Sequence, residues 1–176
     1  MPPEFIGLDF DGVVVDTAEH RAVACIEVFG VDPPYRPFAA KTVVSEVRVT
    51  QEQYDERMDL IFLDGRYAMM MKPLHGAIGS IRSIIAAGLT PRIVTMRQQA
   101  SVKFVKRLLR SDDIRLDGLD VIATNRQHNK HQFVAGMLAF VEDRVEHLET
   151  MRGIVPNLYL MDFYNVAEPA DWYTLV

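Results

Sequence analysis

Short apolar runs alternate with helix-periodic segments along most of this chain, and that alternation restricts its fold more than any other feature. Phe5 to Phe10 is an apolar run closed by Asp11-Gly12, the pattern of a buried strand ending in a turn. Further apolar or β-branched runs fall at Arg92 to Thr95, Val121 to Ala123, Met137 to Val141 and Leu158 to Met161. Between them, Leu74, Ile78, Ile81 and Ile85 (before Gly88), then Val102, Val105 and Leu109, then Val145, Leu148 and Met151, recur at helical spacing. Strands joined by helices imply a parallel sheet covered on both faces, hence a three-layer α/β domain. In such sheets ligands bind beyond the carboxyl ends of the strands. That rule brings Asp9, Asp11, Thr95, Glu142 and Asp143 to one edge.

Residues 17 to 72 break the alternation. Ala22, Cys25, Ile26 and Phe29 mark a helix stopped by Gly30, and Pro33, Pro34 and Pro37 mark a loop. Thr50 with Gln53 reads as a capping box, followed by Tyr54, Met58, Ile61 and Phe62 at helical spacing. Helices without a clear strand imply a small helical cap inserted after the first strand. The expected division is a core of residues 1–16 and 73–176 and a cap of residues 17–72. The methionine run Met69 to Met71 reads as cap core, and the tail around Trp172 as irregular.

The chain of 176 residues suffices for one domain with a real core. A net charge of -5, with both signs spread along the chain, gives no footprint for nucleic acid. A single cysteine, Cys25, excludes an intrachain disulfide and reads as a buried thiol. Charge interrupts the N-terminal apolar run, so neither a signal peptide nor a membrane span is expected, and a cytoplasmic location is. Oligomeric state is left open. The histidines show no metal-binding spacing.

Asp9-Phe10-Asp11-Gly12 sets two carboxylates one residue apart at a strand end. A carboxylate nucleophile divides one hard displacement into two easier ones, and a neighbouring acid serves as acid and then as base. With its preceding strand, Leu8-Asp9-Phe10-Asp11-Gly12-Val13 resembles the first motif of the haloacid dehalogenase superfamily. The resemblance implies a Rossmann-like core, Asp9 as the nucleophile that forms an aspartyl-phosphate, and Asp11 as proton donor and later base.

Three further segments follow in that family's order. Arg92-Ile93-Val94-Thr95 resembles its second motif, which implies that the Thr95 hydroxyl and the Met96 backbone N–H meet phosphate alongside Phe10 and Gly12. Lys130 is the best match to its lysine motif and would steady the charge on nucleophile and phosphate, with only a small helix between it and the next strand. Ala139-Phe140-Val141-Glu142-Asp143 resembles the acidic motif. Magnesium would then be held by Asp9, the Asp11 backbone carbonyl and Asp143, with Glu142 bound directly or through water. Arg97 reads as a solvated loop arginine. The expected activity is that of a phosphomonoesterase on a small phosphorylated metabolite. A phosphotransferase of the mutase type and a non-catalytic phosphate-binding protein are the alternatives, and no nucleic-acid or membrane partner is expected.

Overall fold

The structure, a computed structural model, describes residues 4–30, 49–111, 119–125, 130–162 and 170–176. Among these, β1 (Phe5–Leu8), β4 (Thr90–Thr95), β5 (Asp120–Ala123), β6 (Met137–Glu142), β7 (Asn157–Leu160) and β8 (Thr174–Leu175) form one six-stranded sheet in the order β5-β4-β1-β6-β7-β8. Every neighbouring pair in it is parallel. Successive residues of a strand face opposite sides, so Ile93 and Val94 of β4 enter different apolar clusters. Ile93 joins Leu8, Ile81, Val105 and Leu109, from β1, α4 (Ala77–Ala86) and α5 (Val102–Ser111). Val94 joins Phe140, Leu148, Met151 and Leu158, which packs α6 (Val145–Glu149) on the other face. The three-layer α/β architecture follows from these two clusters.

Strand β1 lies in the middle, with β4 and β5 on one side and β6 to β8 on the other. Chain direction reverses its progress across the sheet there, which opens a crevice at the carboxyl ends of β1, β4 and β6. A side chain is excluded at Gly7: a Cβ there would lie 2.2 Å from Phe140 Cδ2. Glycine lets β1 and the aromatic ring of β6 pack directly against each other.

Strand β4 starts two residues before the Arg92 to Thr95 run, so Pro91 lies within it, opposite Ile6. The pairing of β4 with β5 starts only at Arg92 opposite Asp120, so the missing proline N–H faces no β5 partner. The tail is not irregular throughout, because Thr174 and Leu175 align with Tyr159 and Leu160 as β8. Trp172 and Tyr173 pack against the second apolar cluster and bring that strand into place.

Between β1 and α4 lie α1 (Ala18–Phe29), α2 (Gln51–Leu63) and α3 (Gly65–Ala68). Gly30 ends α1 with a left-handed φ of 69°. The Thr50 N–H donates to Gln53 Oε1 at 2.9 Å, and the Gln53 N–H donates to Thr50 Oγ1 at 3.2 Å. This reciprocal capping box starts α2. Ala24, Cys25, Tyr54, Met58 and Tyr67 form a third apolar cluster, apart from the two sheet clusters. Cys25 is buried there as a free thiol, pushed up to about 11 by that burial. The proline-rich loop at 31–48 and the side chains of Ile61 and Phe62 lie outside the described residues. At the two ends of this segment, β2 (Val15–Asp16) and β3 (Lys72–Pro73) pair antiparallel. The methionine run divides: Met69 is exposed, while Met71 is buried in the first sheet cluster rather than among the cap helices.

Candidate active site

The Asp9 N–H donates to the Val141 carbonyl at 2.9 Å, which extends the β1–β6 ladder one residue past the strand and fixes the Asp9 backbone. Its side chain is buried, and Oδ1 accepts the Phe10 N–H at 2.7 Å. The chain then turns: the Val14 and Val15 N–H groups both donate to the Phe10 carbonyl, and the Gly12 N–H donates to the Val15 carbonyl. Gly12 has a φ of 82°, and a Cβ there would lie 2.2 Å from Asp143 Oδ2. Only glycine permits both the turn and the close approach of that carboxylate.

Lys130 is buried at the start of a 3-10 helix, Lys130–Phe133, the small helical segment between it and β6. Its Nζ lies 2.8 Å from Asp9 Oδ1 and 2.6 Å from Glu142 Oε2. Burial opposes the ammonium charge, but Asp9 and then Glu142 outweigh it and hold Lys130 above the usual lysine range. Glu142 is fully buried, and its other oxygen, Oε1, accepts the Asp143 N–H at 3.2 Å and faces His147 Nδ1 at 3.4 Å. Burial and the Asp9 charge push the Glu142 carboxyl up to about 7 against the opposing pull of Lys130. Burial and the Lys130 charge press His147 down to about 4.

Asp9, Glu142 and Asp143 bring one carboxylate oxygen each within 4.8 Å of one another. Asp143 opens to solvent on its outer side. The protein around its inner side, then the Asp9 charge, push its carboxyl up to about 9. Carboxylates gathered this closely repel, and a divalent cation relieves that repulsion. The residues present therefore fit a hard cation with oxygen ligands. Glu142 already engages Lys130 and the Asp143 N–H, so Asp9 and Asp143 are the better-placed donors.

Thr95 is buried at the end of β4, and its Oγ1 accepts the Arg97 N–H at 3.2 Å. Met96 follows it half-buried. Arg97 is a correction: it is not a solvated loop residue but is 4% exposed. Its Nε donates to Asp11 Oδ2 at 2.9 Å and its Nη2 to Asp11 Oδ1 at 2.7 Å. Arg21 of α1, which sequence reasoning missed, places Nη2 3.7 Å from the same Asp11 Oδ1. Its signal in the sequence is position, one helical turn past Thr17. An open pocket of about 330 Å3 is bordered by Asp143, Leu160 and Asp162.

No protein-family model and no curated protein sequence matches the chain. Solved structures do. A candidate phosphatase from Clostridium difficile superposes with a TM-score of 0.69 at 14% identity, covering 100% of this chain and 95% of its own. A haloacid dehalogenase family hydrolase from Deinococcus radiodurans R1, with bound phosphate and sodium, gives 0.59 at 15% identity over 96% and 85%. A candidate beta-phosphoglucomutase from Thermotoga maritima gives 0.61 at 14% identity over 98% and 94%. The chain has the fold of the haloacid dehalogenase superfamily. Among the described residues, no helix is long and apolar enough to cross a membrane.

Proposed function

We propose that this chain is a magnesium-dependent phosphohydrolase that cleaves a small phosphate monoester through an aspartyl-phosphate on Asp9. The observation that carries the reading is the environment of Asp9. It is a buried carboxylate at the sheet's switch point, with Lys130 on one oxygen and Asp143 beside it. The phosphatase and hydrolase named among its fold neighbours support the same reading.

Lys130 and the Phe10 N–H both meet Oδ1 of Asp9, so Oδ2 is the oxygen we assign to attack. A bond forms from Asp9 Oδ2 to phosphorus as the phosphorus–ester oxygen bond breaks. Asp11 gives its proton to the departing oxygen, and the alcohol leaves. Water then attacks the phosphorus of phospho-Asp9, Asp11 takes a proton from that water, and phosphate departs with the Asp9 carboxylate restored. Lys130, the Thr95 hydroxyl and the Met96 N–H bind the phosphoryl oxygens, and Gly12 leaves room for the approach. Asp9, the Asp11 carbonyl and Asp143 would hold magnesium, which supplies positive charge against the phosphoryl group when bound.

In this reading residues 17–72 are a cap over the site, and residues 1–16 and 73–176 are the core. The paired strands β2 and β3 at the ends of the segment, and its separate apolar cluster, support that division. A mutase-type phosphotransferase is the second reading, favoured by the Thermotoga neighbour. Purified protein given a panel of phosphate monoesters with magnesium is expected to release phosphate, and Asp9→Asn to release none. An isomeric sugar phosphate as the product would favour the second reading, and wild-type rates in Asp9→Asn would eliminate the covalent route.

A further inference from the structure

The Arg97 guanidinium grips both oxygens of Asp11, the residue assigned above to hold and release a proton. With both oxygens held by the fork, neither is turned to the ester oxygen of a bound substrate. The pair must open for Asp11 to meet that oxygen, and the guanidinium then needs another anion. Few movements are open to it, because it is packed inside the protein. Its Cζ lies 5.1 Å from the Phe10 ring centroid, and Nη2 meets Met71 Sδ at 3.3 Å. The Arg97 N–H is tied to Thr95 Oγ1 and the Arg97 carbonyl to the Asn125 N–H.

The planar fork that fits a carboxylate fits two oxygens of a phosphoryl group equally well. Arg97 also follows Thr95 by two residues and so stands beside the groups assigned to phosphate. We propose that Arg97 is a substrate-binding residue. Asp11 occupies its fork in the free protein, and the phosphoryl oxyanion displaces Asp11 from it on binding. The exchange releases Asp11 for proton transfer only when a phosphate is present. Arg21, with Nη2 3.7 Å from Asp11 Oδ1, is a second positive group beside Asp11 when the pair with Arg97 opens. This proposal rests on the phosphohydrolase reading.

The test is calorimetric binding of inorganic phosphate, with magnesium, to wild type, Arg97→Lys, Arg97→Met, Asp11→Asn and the Arg97→Met/Asp11→Asn double variant. Losing the fork is expected to weaken phosphate by about tenfold or more in both Arg97 variants. Arg97→Lys keeps the charge, and so guards against a simple folding failure. Asp11→Asn is expected to bind phosphate more tightly than wild type, because the fork no longer has to be vacated, and that gain is expected to vanish in the double variant. If Arg97 only props Asp11 in place, both Arg97 variants bind phosphate as wild type does and lose turnover alone, which overturns the proposal. An Asp11→Asn gain that survives without Arg97 overturns it equally. Wild type that binds no phosphate with magnesium present overturns the phosphohydrolase reading itself, and this proposal with it.

Discussion

Nζ of Lys130 lies 2.8 Å from Oδ1 of Asp9, and both groups are buried. One cation thus spans two carboxylates, since Glu142 Oε2 is 2.6 Å away on its other side. Removing one member of a buried ionic set leaves the rest uncompensated, at a cost of about 3–5 kcal/mol. Lys130→Met is therefore expected to lower the melting temperature sharply and to abolish phosphate release. Adding Glu142→Gln is expected to recover part of the stability and none of the activity. Thermal melts and turnover of the single and double variants check this, and full recovery of activity would mean that Lys130 serves the fold alone.

The acidic cluster makes the metal-free protein sensitive to pH. Two carboxyls have folded values above their ordinary ones, Glu142 at about 7 against 4.5 and Asp143 at about 9 against 3.8. A carboxyl raised in this way stabilises the fold while protonated and loses that contribution as pH climbs through its folded value. His147 acts in the opposite sense, but its effect is complete above its ordinary 6.5. From about pH 6.5 to pH 9 the metal-free protein is thus expected to lose stability, Glu142 completing its loss near pH 7 and Asp143, which reaches solvent and so contributes modestly, carrying the rest. Magnesium is expected to raise the melting temperature more at the upper end of this window than at the lower. Equal shifts at both ends, or none, would remove the metal from the cluster.

Gly12 offers a sharper test of how Asp143 is placed. An added Cβ would lie 2.2 Å from Asp143 Oδ2, on a backbone with φ of 82°. Gly12→Ala is expected to cost about 1–3 kcal/mol through the strained backbone. It is also expected to weaken magnesium binding by displacing the carboxylate. Asp143→Asn should match the loss of metal binding without the loss of stability. If Gly12→Ala binds magnesium normally, the close approach of Asp143 is not needed for the ion.

The sheet is legible because buried strands write themselves as apolar runs, and the start of α2 because Thr50 and Gln53 cap it locally. What depends on distant partners is less so. Lys130 stands out only through its order relative to the other motifs, since an isolated lysine is usually exposed. Its burial comes from Asp9 and Glu142, 121 and 12 residues away along the chain. Arg97 passes for a solvated residue for the same reason, as its partner Asp11 belongs to a different strand end. Strand β8 has two residues, too few for any alternation to show.

The final prediction separates the two tasks given to Asp11. As an acid it protonates the departing oxygen, and as a base it activates water. A leaving group of low basicity, such as p-nitrophenolate, departs with little need of a proton, whereas an alkoxide needs one. Asp11→Asn removes the proton donor, a change that typically slows a step by about 10²–10⁴-fold. With an alkyl phosphate, formation of phospho-Asp9 is expected to become limiting in this variant. With p-nitrophenyl phosphate, formation is expected to stay fast while hydrolysis of phospho-Asp9 is slow. Rapid mixing should then show a burst of p-nitrophenolate, about one per active site, followed by slow release of phosphate. The alkyl ester should show no burst. Asp9→Asn should show none with either ester, which ties the burst to the covalent intermediate. Equal slowing with both esters and no burst would leave Asp11 without an acid–base role, and would make its ion pair with Arg97 a structural one.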